Sequence, residues 1–181
     1  MFFYQNTFIS PASPDAFAHR LLTATAPETK RRVFNNVCVY LNRYGWLRQY
    51  KGVGNDVQAD GNLHWCLDTS VEVPDGFLDK VRNSKFSEAN KQQYPPGWSS
   101  RSFVADPRLV KFDRDANAVC DYRLQENSPA IGAGIVLPDE LEDPLRPKDG
   151  ARPDIGALPR GAGMFAAGRL EDSNSIKLNQ E

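Results

Sequence analysis

The chain has 181 residues, with 22 Lys+Arg against 23 Asp+Glu, a formal net charge of −1 and a pI near 6.1. That balance argues against a nucleic-acid binder working through a basic surface and against a polybasic membrane-surface protein. A hydrophobic fraction of 40% beside 25% charged residues is enough for a core, which argues against wholesale disorder, and the length is that of one ordinary domain.

Other classes fall away on local grounds. No apolar run approaches the roughly 20 residues of a membrane span, and MFFYQNTFISP lacks the basic and apolar regions of a signal peptide. Cys38, Cys66 and Cys120 are scattered, with no CxxC or Cys/His cluster, so buried free thiols are expected rather than a zinc site or a disulfide scaffold. No Walker A string, GxSxG or HExxH is present.

In chain order, Phe2–Ser10 comes first, and it can be laid over Val33–Tyr40. Phe3 then meets Val33, Tyr4 meets Phe34, Asn6 meets Asn36, Phe8 meets Cys38 and Ile9 meets Val39. Both segments are rich in aromatic and β-branched residues without a helical period, so both read as strands. A third candidate, Asn62–Leu67, places Cys66 about 28 residues beyond Cys38, and strand-rich units at a spacing of about 30 suggest a solenoid. Equivalent positions in such a stack lie about 4.8 Å apart. Asn6 and Asn36 are then expected to hydrogen-bond to each other along it.

Insertions separate these units. Ser13-Pro14-Asp15 followed by AFAHRLL reads as a cap, a first-turn Pro and a short helix, with a polar return over Thr23–Lys30. A second helix is expected with Asp75 as its cap and Phe77, Leu78, Val81, Phe86 and Ala89 on its apolar stripe, stopping before Pro95-Pro96-Gly97. Phe103–Ala105 and Leu109–Phe112 read as short extended pieces, and Pro and Gly then recur down to Gly168. Arg169–Glu181 is polar and uncapped, a tail expected to be disordered.

The later motifs carry a resemblance. Asp106-Pro107, Asp121-Tyr122-Arg123-Leu124, Ser128-Pro129-Ala130-Ile131 with Gly134, Asp149-Gly150, Arg152-Pro153 and Asp154-Ile155-Gly156-Ala157 follow one another in order. This string resembles the C-terminal end of secreted right-handed parallel β-helix repeat proteins, the pectate-lyase-like superfold in its bacterial secreted or surface group. Asp60–Trp65 and Tyr94–Trp98 look like preceding rungs and an insertion. Gly132 stands where that group usually has an acidic residue, and Leu158-Pro159 where it has an aromatic-acidic pair. Leu158–Gly163 superficially resembles a cell-wall sorting signal but lacks its Thr and apolar span.

The resemblance implies an all-β fold, a right-handed parallel β-helix of few rungs. Rungs and insertions would occupy residues 1–160, with helical insertions at about 11–30 and 74–101, a cap at about 121–160 and a tail at 161–181. It further implies the C-terminal portion of a secreted carbohydrate-active protein, a polysaccharide lyase or glycosidase, with this segment mainly structural. The rival is a non-catalytic structural or glycan-binding module of a surface protein, because this superfold hosts many functions. The parent protein would act outside the cell or at its surface. A polysaccharide is the expected partner, with self-association through the exposed first rung, and neither nucleic acid nor a membrane span.

The chemistry-bearing residues assign no site. Asp56, Asp60 and Asp68 flank the third unit and could cluster, but solvated turn carboxylates are the favoured reading. Lys30-Arg31-Arg32 reads as an exposed strand entry, and His19 and His64 have no partner spacing. Asp121, Asp149 and Asp154 read as turn and cap residues. Trp65 and Trp98 are assigned to the core, whereas Trp46 is the aromatic expected at the surface, with Tyr50 and Tyr94 as further stacking candidates. No catalytic residue, metal ligand or cofactor is therefore named, and no substrate-binding residue is assigned.

Overall fold

The β-branched and aromatic residues on either side of three corner asparagines build the strands of this protein. The computed structural model describes residues 2–10, 30–44, 56–115, 118–141, 147 and 149–163. β1 (Phe2–Tyr4), β3 (Lys30–Phe34) and β5 (Asp56–Asp60) form one parallel sheet in the order β1-β3-β5. β2 (Thr7–Ser10), β4 (Val37–Tyr40), β6 (Leu63–Cys66) and β7 (Phe103–Val104) form a second in that order. β8 (Leu109–Lys111) and β9 (Asp121–Leu124) pair antiparallel.

The first two units lie in the register expected, with Phe3 opposite Val33, Phe8 opposite Cys38 and Ile9 opposite Val39. The third unit is set differently: Cys38 lies opposite His64 and Tyr40 opposite Cys66. It follows 26 residues behind the second, as the Asn36–Asn62 pairing also shows.

The all-β right-handed β-helix does not stand. The described residues are a mixed arrangement of short parallel strands, an antiparallel pair and two short helices, α1 (Asp79–Arg82) and α2 (Lys85–Asn90), with no solenoid among them. Directly after β6 the chain does not continue into another strand. It enters turns and helices from Asp68 to Ser102 instead. The last strand pair then runs antiparallel, which a coil of uniform hand excludes.

Packing explains the departure. Cys38 and Tyr40 of the second sheet bury themselves under Tyr44, Phe77 and Leu78, whereas Val33, Val57 and Ala59 of the first bury themselves under Val81 and Trp98. Phe8 packs on both groups, and its ring meets Phe3 edge-on at 6.3 Å. The helical segment thus covers one face of each of the first two sheets. On the opposite faces, Val37, Val39 and Leu63 are covered by Leu109, Leu124, Ala130 and Ile155, and Phe34 by Ile135, Leu137 and Leu141. β4 is buried on both faces, which is why its four residues Val-Cys-Val-Tyr show no polar alternation.

The expected second helix is broken in two. Ser84 interrupts the stripe and caps α2, its hydroxyl accepting from Ser87 N at 3.1 Å. α2 ends at Asn90, ahead of Pro95-Pro96, and Asp75 caps nothing, since Leu78 holds the N-cap of α1. The helix expected near Pro14 and the tail from Arg169 lie outside the described residues.

Candidate functional site

The three corners follow one recipe. Gln5, Asn35 and Gly61 take left-handed φ values of 55°, 54° and 65°, and each is followed by an asparagine. Asn36 Oδ1 accepts from Asn6 N at 3.1 Å and Asn6 Nδ2 at 3.0 Å, while Asn62 Oδ1 accepts from Asn36 N at 3.0 Å and Asn36 Nδ2 at 2.8 Å. The expected Asn6–Asn36 contact is present and Asn62 extends it. This row satisfies buried corner backbone and has no free chemistry between its members.

The candidate charged residues are also committed to the fold. Arg32, its side chain only 5% exposed, grips Asp56 through Nη1–Oδ1 at 2.8 Å and Nη2–Oδ2 at 3.0 Å, and reaches Glu140 through Nε at 3.1 Å. Lys30 pairs with the same Glu140, whose carboxyl is held below its ordinary range by Lys30 first and then Arg32. Asp60 is fully buried and accepts from Gly61 N, Arg101 N, Tyr94 hydroxyl and Ser100 hydroxyl at 2.6–3.0 Å. Asp68 accepts from Ser70 N and hydroxyl at an exposed turn. The three carboxylates that could have clustered therefore serve separate structural tasks. Asp121 pairs with Arg123, and Asp149 and Asp154 accept loop N–H groups, in keeping with turn roles.

His64 is sealed. It is 2% exposed, its Nδ1 lies 2.9 Å from Tyr40 hydroxyl, and its Nε2 has no hydrogen-bond partner. Burial pushes its pKa down to about 4 and that of the neighbouring Cys38 thiol up to about 12, so imidazole and thiol are both neutral at pH 7. His19, Trp46 and Tyr50 lie outside the described residues. Among the described residues no group of three or more His, Cys, Asp and Glu could hold a metal ion, and no helix is long and apolar enough to cross a membrane.

A concave surface with available chemistry lies where the β8–β9 pair meets β6. A trough of about 390 Å³ is lined there by Trp65, Phe112, Asp106, Arg108, Gln125 and Asn127, among others. Pleating puts Trp65 on the face opposite His64, beside Leu63 and Val39. It is half-buried rather than fully in the core, whereas Trp98 is fully buried and donates Nε1–H to Val57 O at 2.6 Å.

The rim is held in place by its own bonds. Asp106 Oδ1 accepts from Arg108 N at 2.8 Å, a turn that carries Arg108 at φ 51°. Arg108 Nη1 donates to Asn127 O at 3.1 Å, and Gln125 Nε2 donates to Leu109 O at 3.0 Å. Asp106 Oδ2, the Asn127 side-chain amide and the Trp65 indole N–H keep their hydrogen-bonding capacity among the described residues. Phe112 also lines an adjoining trough of about 250 Å³ with Leu41, Tyr122 and Arg114. Its ring centroid lies 6.3 Å from that of Tyr122. Aromatic surface thus runs from Trp65 through Phe112 to Tyr122.

Sequence reasoning did not find Asp106, Arg108, Phe112, Gln125 or Asn127 as one surface. They come from both arms of an antiparallel pair, which the expectation of a uniform parallel coil excluded. Comparison with family models, with curated proteins and with solved structures gave no match.

Proposed function

We propose that this protein is a non-catalytic glycan-binding module that takes an oligosaccharide along the Trp65–Phe112–Tyr122 surface. The observation that carries the reading is the composition of the trough: aromatic surface flanked by planar polar side chains, with Asp106 an acceptor, Arg108 a donor and Asn127 both. Sugar rings present apolar C–H faces and a fringe of hydroxyls, each of which donates and accepts, so they complement such a surface. Two adjoining troughs sharing Phe112 suit a ligand longer than one ring. Binding is favoured over turnover because Asp56, Asp60 and His64, which could have served as acid or base, are paired or sealed. A polymeric glycan would place its work at a cell surface or outside the cell.

The test is titration calorimetry of the full chain with neutral and uronate oligosaccharides, beside the Trp65→Ala and Asn127→Ala variants. Saturable binding to at least one class is expected, weakened about tenfold or more by Trp65→Ala, since an aromatic stacking contact is worth ~1 kcal/mol beyond the area it buries. Absence of binding across the panel, or equal binding by Trp65→Ala, would sink the proposal. Release of reducing ends or unsaturated products during incubation would replace it with an enzymatic one.

A further inference from the structure

Arg108 spends its guanidinium differently from Arg82, Arg123 and Arg152. Those three each give both Nε and Nη2 to protein oxygens. Arg108 gives Nη1 to Asn127 O at 3.1 Å, and its Nε–Nη2 edge is unengaged among the described residues. Its backbone lies at φ 51°, a conformation unfavourable to a residue with a side chain. Three bonds fix it there. Asp106 Oδ1 accepts from Arg108 N at 2.8 Å, Arg108 O accepts from Gln125 N at 2.9 Å, and the buried Pro107 between Asp106 and Arg108 accepts from the Ser128 hydroxyl. The turn therefore sets an open carboxylate oxygen, Asp106 Oδ2, and an open guanidinium edge on one rim of the Trp65 trough.

We infer that this trough selects uncharged sugars with adjacent hydroxyls, and that Asp106 is the residue that excludes uronates. The inference rests on the glycan reading and names the class of glycan. Asp106 Oδ2 can only accept, and the Arg108 edge can only donate. Neighbouring hydroxyls of a sugar ring satisfy both, one donating to Asp106 and the next accepting from Arg108. A uronate carboxylate fits the Arg108 edge by itself. It then leaves Asp106 Oδ2 without a donor and sets two negative charges on one rim, a repulsive element against that ligand. The adjoining trough adds to the cost. Asp113 and Asp115 line it with Arg114, so the two troughs together carry three carboxylates and two guanidinium groups. Arg114 gives Nη2 to Leu41 O, and its charge also acts on Asp68. The lining thus has no surplus of positive charge for an anionic polymer.

Titration calorimetry of the full chain uses oligosaccharide pairs that differ only in a hydroxymethyl group against a carboxylate. Wild type and Asp106→Asn are compared. Asn keeps an Oδ1 acceptor for Arg108 N, so the turn stands while the charge is removed. Wild type should bind the neutral member at least about fivefold more tightly than the uronate. Asp106→Asn should narrow that ratio at least about threefold, chiefly through tighter uronate binding. High salt should narrow it in wild type without any substitution, because a charge on an exposed rim is screened. Uronate binding as tight as neutral binding, a ratio unaltered by Asp106→Asn, or one independent of salt would overturn the inference and leave the glycan reading standing. Absence of binding to every glycan would overturn both.

Discussion

Gly61 shows how closely the corners are fitted. Gln5 and Asn35 hold side chains at the same left-handed conformation, but a Cβ on Gly61 would lie 2.5 Å from Asn35 Oδ1 and 3.1 Å from Ile135 Cγ2. The reason is that Asn35 faces away from the asparagine row and clamps a later segment, donating Nδ2–H to Ile135 O and accepting from Ile135 N, both at 2.8 Å. Asn36, fully buried in the middle of the row, is the residue on which the corners depend most. Asn36→Ala removes an acceptor of two bonds and the donor to Phe3 O and Asn62 Oδ1. It should lower unfolding free energy by about 2–3 kcal/mol in urea titrations, more than the half-buried, end-placed Asn6→Ala at about 1 kcal/mol. The equivalence of Asn6 and Asn36 was legible in the sequence because aromatic and β-branched residues flank both. The role of Asn35 was not, because its partner lies a hundred residues away.

At the scale of elements, residues 128–141 and 149–157 lie together across both sheets. Ile155 N donates to Ala130 O at 2.9 Å, Gly134 N to Pro153 O at 2.9 Å and Gly156 N to Asn35 O at 2.9 Å. Their apolar residues Ala130, Ile135, Leu137 and Ile155 cover Val37, Leu63 and Phe34. The two segments meet most tightly at Gly134, where a Cβ would lie 2.7 Å from Pro153 O and 3.1 Å from the Asn35 side chain. Gly134→Ala should therefore cost about 1–3 kcal/mol and loosen these segments first. Hydrogen exchange should quicken over residues 130–141 and 149–157 before β4 is affected, whereas Gly132→Ala, with nothing within 4 Å of its Cβ, should leave the Asn35 clamp intact. The SPAI and DIGA motifs announced a turn-rich closing segment. That it lies along the sheet faces, tied to Asn35, follows from contacts that no local pattern encodes.

For the whole molecule, acid is the condition to which stability should respond. Burial holds His64 at about 4, below its ordinary 6.5, so the unfolded chain binds this proton first as pH falls. The stability contributed by its neutral form is complete above about pH 6.5 and is lost progressively toward pH 4, by roughly 3 kcal/mol at most. Glu140, lowered by Lys30 and Arg32, and Asp121, lowered by Arg123, act in the same direction at lower pH. They stabilise above their ordinary carboxyl range and lose that contribution as acid protonates them. Urea midpoints measured from pH 7.5 to 4.5 should fall with acid. The double variant Tyr40→Phe/His64→Phe, which removes both partners of the buried bond, should flatten the upper part of that fall; an unchanged slope would show that His64 is not its source.

The sequence by itself determined the extended character of Phe2–Ser10, Val33–Tyr40 and Leu63–Cys66, the stacking of the first two, the Asn6–Asn36 contact and the helix-stopping Pro95-Pro96, because each rests on the preferences of neighbouring residues or on a repeated pattern. Only the tertiary structure decided the rest. It set the third unit at a spacing of 26 residues, split the expected second helix at Ser84, and turned β8 and β9 against each other. It also brought Trp65, Arg108 and Asn127 to one trough. Those outcomes depend on which apolar faces find each other and which buried amides find partners. A short strand of Val, Cys and Tyr is compatible with several neighbours until the whole chain has competed for its two faces.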